Sequence, residues 1–370
     1  MKLLLTCGGT AGHVYPAVAL ARVFQRHDPD CQVLFVGADG GMELDLVRKE
    51  GYPISTVTIS NFRRTLSPRQ WGHNLKSAWN VVASRRQARA ILRDFGPDLV
   101  VGTGGYASYP AVHQAARMGI PTAIHESNAS PGLTTRTLAR EVRLVMVGFE
   151  EAVAHYENPA NVRVTGTPVR PAFFALTRQQ AREKLGLADD RPLVLSFWGS
   201  LGATVMNGQM TDFISAWQEQ GRPFHHIHVA GRDYDATKAT LAGRGVDLAG
   251  CDLRQYIYDM PTVMAAADLV LCRAGASTLS ELTATGTPAL LVPSPNVTDN
   301  HQYKNARVLA DRGGALLIEE KDSTGARLYD ETVSLLADSE RRQQMRERQL
   351  SLAAPTAAED IYKALMELLK

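Results

Sequence analysis

The sequence predicts an α/β protein of two Rossmann-like, doubly wound parallel-sheet domains facing across a cleft. Three observations carry this. First, a glycine loop occurs twice: residues 3–16 read LLLTCGGTAGHVYP and residues 193–207 read LVLSFWGSLGATVMN, with Gly9, Thr10 and Gly12 standing against Gly199, Ser200 and Gly202 at a constant offset. Each loop follows an apolar run long enough for a strand and precedes a segment that can form a helix. Such a turn leaves backbone N–H groups at a helix N-terminus to meet an anion. Second, Val, Ile and Leu runs without strict alternation indicate strands buried on both faces. Amphipathic segments separate them, so the natural result is a parallel sheet with right-handed crossovers. Third, GTPVRPAFF at 166–174 breaks helix and strand alike, and the pattern then restarts.

Strands are expected at 3–6, 33–36, 54–59, 98–102, 121–125, 144–147 and 162–165, with helices at 16–27, 40–50, 74–94, 107–118 and 132–140. In the second half strands are expected near 193–197, 226–230, 246–249, 269–272, 289–292 and 315–318. The expected domains are 1–167 and 168–345, followed by a C-terminal segment 346–370 whose final helix either closes the second domain or packs back on the first.

Size and composition fit two globular cores: 370 residues, 45% hydrophobic and 21% charged. A net charge of +2 gives no global reason to expect nucleic acid. Cys7, Cys31, Cys251 and Cys272 are widely spaced in apolar segments, make no metal pattern and read as reduced core thiols of a cytosolic protein. MKLLLTCGG reads as a first strand rather than a signal peptide, and no run approaches the roughly 20 apolar residues of a spanning helix.

GGTAGH fits neither the dinucleotide fingerprint nor a P-loop, but it places His13 at a helix start. The helix N-terminus disfavours imidazolium, so His13 is expected to be neutral and usable as a base. GTGGYASYP places Gly104 and Gly105 directly after a strand, and HESNASPG places the His125–Glu126–Asn128 cluster after the next. Open α/β sheets bind ligands at the carboxyl ends of strands, so these groups should share one rim.

In the second half, CRAGASTLSE carries Arg273, Gly275 and Glu281, and Ser200 lies in the glycine loop. Glycine and serine at a helix start suit a diphosphate without a metal, and a carboxylate deeper in the helix can accept both ribose hydroxyls. PSPNVTDNHQYKNA carries Asp299, Asn300, His301, Gln302 and Asn305, a density of polar groups that suits a sugar; Arg170 lies in the joining segment. Residues 60–79 mix Phe62, Leu66, Trp71, Leu75 and Trp79 with Arg63, Arg64, Arg69 and Lys76. Trp71, Leu75 and Trp79 share one helical face, which suits either core packing or an anionic membrane surface.

Together GGTAGHVYPAVALA, GTGGYASYPAVHQAA, HESNASPGLTTR, GTPVR, FWGSLGATVMN, YIYDMPTVMAAADLVLCRAGASTLSEL and PSPNVTDNHQYKNA resemble, in order and spacing, the MurG family of bacterial glycosyltransferases. The resemblance implies a GT-B fold and inverting transfer of N-acetylglucosamine from UDP-N-acetylglucosamine to lipid I, giving lipid II for peptidoglycan. It implies His13 as catalytic base, with Glu126 as the alternative. It implies substrate contacts from Thr10, Gly12, Gly104, Gly105, Asn128, Arg170, Ser200, Gly202, Ile257, Arg273, Gly275, Ser277, Glu281 and Gln302. No cofactor or obligatory metal is implied. Implied partners are the two substrates and an anionic membrane surface on the cytoplasmic face of the inner membrane, with no nucleic acid; the resemblance leaves room for other cell-wall synthesis proteins. The sequence departs from the family's pattern at Ala11, Ser127, Trp198 and His301. Another GT-B enzyme, such as a UDP-N-acetylglucosamine 2-epimerase, is the alternative reading.

Overall fold

The structure, a computed structural model, describes residues 1–59, 83–199, 202–247 and 251–370. The chain divides into two compact units, Met1–Arg170 with Thr356–Lys370, and Pro171–Pro355. The first unit contains β1 (Lys2–Thr6), α1 (Ala11–His27), β2 (Gln32–Ala38), α2 (Glu43–Lys49), β3 (Ile54–Val57), α3 (83–95), β4 (Leu99–Gly102), α4 (Ser108–Arg117), β5 (Thr122–Glu126), α5 (Leu133–Leu138), β6 (Leu144–Val147) and β7 (Val162–Val164). Its strands are all parallel, in the order β3-β2-β1-β4-β5-β6-β7.

Alternate residues of one strand enter different cores, as a doubly wound sheet requires. Leu3 and Leu5 join Val14, Ala17, Val18 and Phe24 of α1 on one face. Leu4 joins Ala88 and Leu92 of α3 and Ala111, Val112 and Ala115 of α4 on the other. The returning C-terminal segment adds Ile361, Ala364 and Leu365 to the α1 face. Tyr362 stacks on His27 at 4.2 Å, and Glu359 pairs with Arg26 and His27.

The second unit contains α6 (Arg178–Lys184), β8 (Leu193–Phe197), α7 (Thr204–Glu219), β9 (His225–Val229), α8 (Tyr234–Gly243), β10 (Cys251–Arg254), α9 (Met260–Ala266), β11 (Leu269–Cys272), α10 (Ala276–Thr285), β12 (Ala289–Leu291), α11 (His301–Ala310), β13 (Ala315–Leu317), α12 (Gly325–Ala337) and α13 (Ser339–Ser351). Its parallel order is β10-β9-β8-β11-β12-β13. Val194, Leu269, Leu271 and Leu290 pack against Met206, Met210, Phe213 and Trp217 of α7 and Leu328 and Leu335 of α12. The final helix of the chain, α14 (Ala357–Glu367), belongs to the first unit, whereas α13 remains in the second. Among the described residues no helix is long and apolar enough to cross a membrane.

Two elements differ from the sequence expectation. The first helix begins at Ala11 rather than at Pro16, and Pro16 lies inside it. A proline in an early turn read as a helix start, yet the helix already runs from the glycine loop and carries His13 in its first turn. The strand expected at 246–249 is absent from 246–247, and β10 begins at Cys251. Val246 instead completes the stop of α8. Gly245 takes φ +71°, its N–H donates to Ala242 O at 3.0 Å, and the Val246 N–H donates to Leu241 O at 3.0 Å. This is the paired bonding of a Schellman stop, with Val246 and Leu241 both in the core.

The four cysteines are buried free thiols, and burial pushes their pKa values up. A buried polar group in the second unit escaped sequence reading. Ser196 Oγ lies 2.9 Å from His226 Nε2 and 2.8 Å from His228 Nδ1. The hydroxyl has one hydrogen, so it donates to one ring and accepts from the other. Desolvation holds both imidazoles neutral: it lowers His226 well below the usual histidine range and His228 to about 4.

Leu365→Ala is expected to lower stability by about 2–5 kcal/mol in urea unfolding, because it empties a buried position against α1. Lys363→Ala, at an exposed side chain on the same helix, should stay within about 0.5 kcal/mol. The histidine pair sets a pH dependence. Below a pH of about 6.5 the unfolded chain binds protons that the folded imidazoles refuse, so stability is full above that pH and falls as pH drops towards the native values. The expected slope is about 1.4 kcal/mol per pH unit per histidine. Urea midpoints across this window check it, and a His226→Gln, His228→Gln double variant should flatten the slope.

Candidate functional site

In the first unit, three strand exits converge at the carboxyl rim. β1, β4 and β5 are adjacent in the sheet, and each ends in a loop containing expected site residues. Thr10 begins α1 with extended backbone, and its carbonyl accepts from the His13 and Val14 N–H groups at 3.1 and 3.4 Å. The Thr10 side chain makes no cap and is exposed. Gly12 follows in the first turn.

The His13 ring is fixed by Thr103, the first residue after β4. His13 Nδ1 lies 3.1 Å from Thr103 O, and Thr103 Oγ1 donates to His13 O at 2.7 Å. A carbonyl can only accept, so Nδ1 carries the proton and the Nε2 lone pair is the basic one. Gly104 and Gly105 make this arrangement possible. A Cβ on Gly104 would lie 2.6 Å from His13 Nδ1, and one on Gly105 would lie 2.0 Å from Gly8 O. Both have φ in the left-handed half, at +104° and +80°. The two glycine loops therefore pack backbone against backbone.

Glu43, at the start of α2, was not singled out from the sequence. It is fully buried, and its carboxylate accepts from Gly9 N at 3.2 Å and Ala38 N at 2.8 Å. It ties the exit of β1 to the exit of β2. Gly8, Gly37 and Gly41 leave the room it occupies, since a Cβ at any of them would come within 3.0 Å of it. The surrounding GADGGME stretch held the signal: an acid just after closely spaced glycines.

After β5 the expected cluster separates into distinct roles. His125 is buried in the strand, and its Nε2 donates to Gly166 O at 2.9 Å. Burial lowers its pKa. Glu126 is 3% exposed. One of its oxygens accepts from Asn128 N at 3.0 Å and Asn128 Nδ2 at 2.8 Å, and the other from Gly132 N at 3.1 Å. Both oxygens thus accept hydrogen bonds that shape the 126–132 loop. Arg170 lies over the Tyr15 ring of α1, 5.3 Å from its centroid.

In the second unit the third glycine loop follows β8. Gly202 takes φ +73°, and α7 begins after Ala203 with neither a side-chain cap nor an acid in its first turn. α10 begins after Gly275 in the same way, with Ser277 in its first turn and Glu281 half-buried further along. Ile257 is buried after β10. Gln302 Oε1 accepts from Ser294 N at 2.9 Å, so its carbonyl end holds its own loop and its amide N–H groups are the ligand-capable end.

Two residues expected to meet substrate are tied into the fold by contacts of their own. Arg273 is 8% exposed; it donates to Val292 O at 3.0 Å and pairs with Glu320. Asn305 is fully buried and donates to Ala274 O at 3.2 Å, fastening α11 to the approach of α10. Trp198, a departure from the family pattern, is 3% exposed and forms part of the second unit's core. Ser200 lies outside the described residues, as do Phe62, Arg63, Arg64, Leu66, Arg69, Trp71, Leu75, Lys76 and Trp79.

With two glycine-loop rims in place, the comparisons decide the family. The pattern of the glycosyltransferase family 28 N-terminal domain matches residues 3–147, and that of its C-terminal domain matches residues 193–361. The chain belongs to glycosyltransferase family 28. It is 38% identical to a UDP-N-acetylglucosamine--N-acetylmuramyl-(pentapeptide) pyrophosphoryl-undecaprenol N-acetylglucosamine transferase of Acetivibrio thermocellus, covering 100% of this chain and 99% of that protein. It is 39% identical to the enzyme of the same name from Thermoanaerobacter sp., covering 99% of each. Among solved structures it resembles Acinetobacter baumannii MurG, with a TM-score of 0.75, 27% identity and 99% coverage of both chains. A UDP-GlcNAc 2-epimerase from Neisseria meningitidis aligns with a TM-score of 0.70 but 15% identity, over 99% of this chain and 100% of that one. That likeness is one of fold alone. This glycosyltransferase family 28 chain thus has the two-sheet GT-B architecture that its sequence predicts.

Glu43→Ala should destabilise the first unit by about 1–3 kcal/mol for each backbone N–H left unsatisfied. Glu43→Gln should lose less, because its amide oxygen still accepts one of the two. Urea unfolding distinguishes them; an alanine variant as stable as the wild type would mean that the carboxylate does not hold the loop.

Proposed function

We propose that this family 28 enzyme transfers N-acetylglucosamine from UDP-N-acetylglucosamine to lipid I, the undecaprenyl-diphosphate-linked N-acetylmuramyl-pentapeptide, giving lipid II and UDP. The observation that carries this reading is the full-length match, at 38% and 39% identity, to relatives whose names state this donor and this acceptor. The His13 geometry supports it, because acceptor activation needs a base whose ring is held in a fixed orientation.

In the proposed reaction His13 Nε2 takes the proton of the muramyl hydroxyl. The oxygen attacks the anomeric carbon from the face opposite the diphosphate. The bond from that carbon to the diphosphate oxygen breaks, and UDP leaves with the electron pair, so the anomeric centre inverts. Thr103 O, bonded to Nδ1–H, favours the imidazolium that forms, as an orienting acceptor does in other base-catalysed sites. Charge on the leaving diphosphate is met by the N-terminal N–H groups of α7 and α10, with Ser200, Gly202, Gly275 and Ser277 lining them and Arg170 assisting. Glu281 takes the ribose hydroxyls and Ile257 borders the base. Gln302, through its amide N–H groups, and Asn128 orient the sugars; Thr10, Gly12, Gly104 and Gly105 border the acceptor. The acceptor's lipid tail favours peripheral attachment to the cytoplasmic membrane face through Phe62, Leu66, Trp71, Leu75 and Trp79 with Arg63, Arg64 and Lys76.

Purified protein with UDP-N-acetylglucosamine and a lipid-linked muramyl acceptor tests the reading. Disaccharide product should appear only with both substrates; conversion of the donor to its 2-epimer without acceptor would contradict it. His13→Ala is expected to lower turnover by ~10²–10⁴-fold while leaving UDP affinity largely intact. Glu281→Ala should do the reverse, weakening UDP binding in calorimetric titration. Near-normal turnover in the His13 variant would remove it as the base.

A further inference from the structure

We propose that Arg273 and Glu320 form the positioning pair that sets the donor rim of the second unit, and that Arg273 acts through the loops it holds rather than by touching the donor. This rests on the reading that the second unit takes the UDP-sugar.

The argument begins with where the guanidinium reaches. Arg273 is the first residue after β11. One terminal nitrogen donates to the carbonyl of Val292, the first residue after β12, at 3.0 Å. The other pairs with Glu320, three residues past the end of β13. The guanidinium carbon lies 6.0 Å from the centroid of the Trp198 ring, the first residue after β8. β8, β11, β12 and β13 are consecutive in the sheet. A single planar cation therefore touches the exits of four neighbouring strands.

Those exits lead to the parts of the rim that a nucleotide-sugar would use. From Trp198 the chain enters the glycine loop before α7. From Arg273 it enters the Gly275 start of α10. From Val292 it enters the 293–300 loop, which leads to Gln302 and is held by the Ser294–Gln302 bond. Asp299 and Asn300 in that loop sit at positive φ, +55° and +51°, a conformation that non-glycine residues keep only when the surroundings impose it. Glu320 also lines a cavity of about 230 Å³ shared with Val205 of α7, Pro293, Asn300 and Tyr303. Its carboxylate thus links the buried guanidinium to the wall of a pocket at this rim.

Chemistry explains why arginine serves here. The pair is withdrawn from solvent, with side-chain exposures of 9% for Arg273 and 14% for Glu320. A buried charge needs its partner, and loss of either leaves the other uncompensated. The guanidinium presents its donors in a rigid fork, so a carbonyl on one side and a carboxylate on the other are held at a fixed angle. It also lies against an indole face. Lysine keeps the charge but has neither the fork nor the plane.

The experiment compares wild type, Arg273→Lys and Glu320→Gln, each first shown folded by circular dichroism. Donor KM, acceptor KM, the pH profile of kcat, UDP affinity and amide hydrogen exchange are then measured. Arg273→Lys should raise the donor KM and weaken UDP binding by about tenfold or more, and speed exchange at residues 274–277 and 293–300. Acceptor KM and the pH profile should not move. Glu320→Gln, which keeps an acceptor for the guanidinium, should shift the same quantities in the same direction by less. Donor KM and UDP affinity within about twofold of wild type in both variants would overturn the proposal, as would donor and acceptor parameters worsening equally. Unchanged exchange at 274–277 and 293–300 would overturn the clamp whatever the ligand. Failure of wild type to bind UDP, with exchange still responding to Arg273→Lys, would overturn the donor reading and leave the clamp standing.

Discussion

The carbonyl of Gly8 and the backbone of Gly105 approach so closely that no side chain fits between them, and the rim of the first unit depends on that approach. It brings the exit of β4 against the exit of β1, which puts Thr103 beside His13. The reciprocal bonds between those two residues then fix the ring, its tautomer and the first turn of α1 together. A histidine on a free glycine loop would sample many orientations. Here its position follows from backbone packing that only glycine permits, so the ring is already ordered before any ligand binds.

Glycine loops gain close approach at the cost of rigidity, and something else must hold them. The two units solve this with opposite charges. In the first, the buried Glu43 carboxylate collects N–H groups from two strand exits. In the second, the buried Arg273 guanidinium collects a carbonyl and a carboxylate. The difference follows from which backbone groups the exits present: N–H groups want an acceptor and carbonyls want a donor. The repeated glycine loop is therefore not matched by a repeated clamp, and each rim has its own point of failure.

The sequence shows the architecture well because long-range patterning carries it. Apolar runs such as LLL at 3–5 must be buried on both faces, and the structure divides them between two cores. Local chemistry was less legible. GVDLAG has a strand-like composition, but Val246 is consumed by a helix stop that Gly245 imposes. Glu126, Arg273 and Asn305 have the residue types of ligand-binding groups, and spacing alone does not tell a ligand from a loop fastener. The structure adds their internal partners: three N–H donors on Glu126, and a carbonyl and a carboxylate on Arg273. Thr103 and Glu43 were missed for the converse reason, since a threonine after a strand and an acid at a helix start are common in structural roles. Trp198, where the sequence departs from the family pattern, is buried in the core of the second unit.

The most direct measurement is of the His13 ring itself. Nitrogen NMR of the protein labelled at histidine, assigned with a His13→Gln variant, reports which ring nitrogen carries the proton at neutral pH. A protonated Nδ1 and an unprotonated Nε2 are expected, as the bond to Thr103 requires. A proton on Nε2 with Nδ1 bare would contradict the tautomer, and with it the assignment of His13 as the group that activates the acceptor.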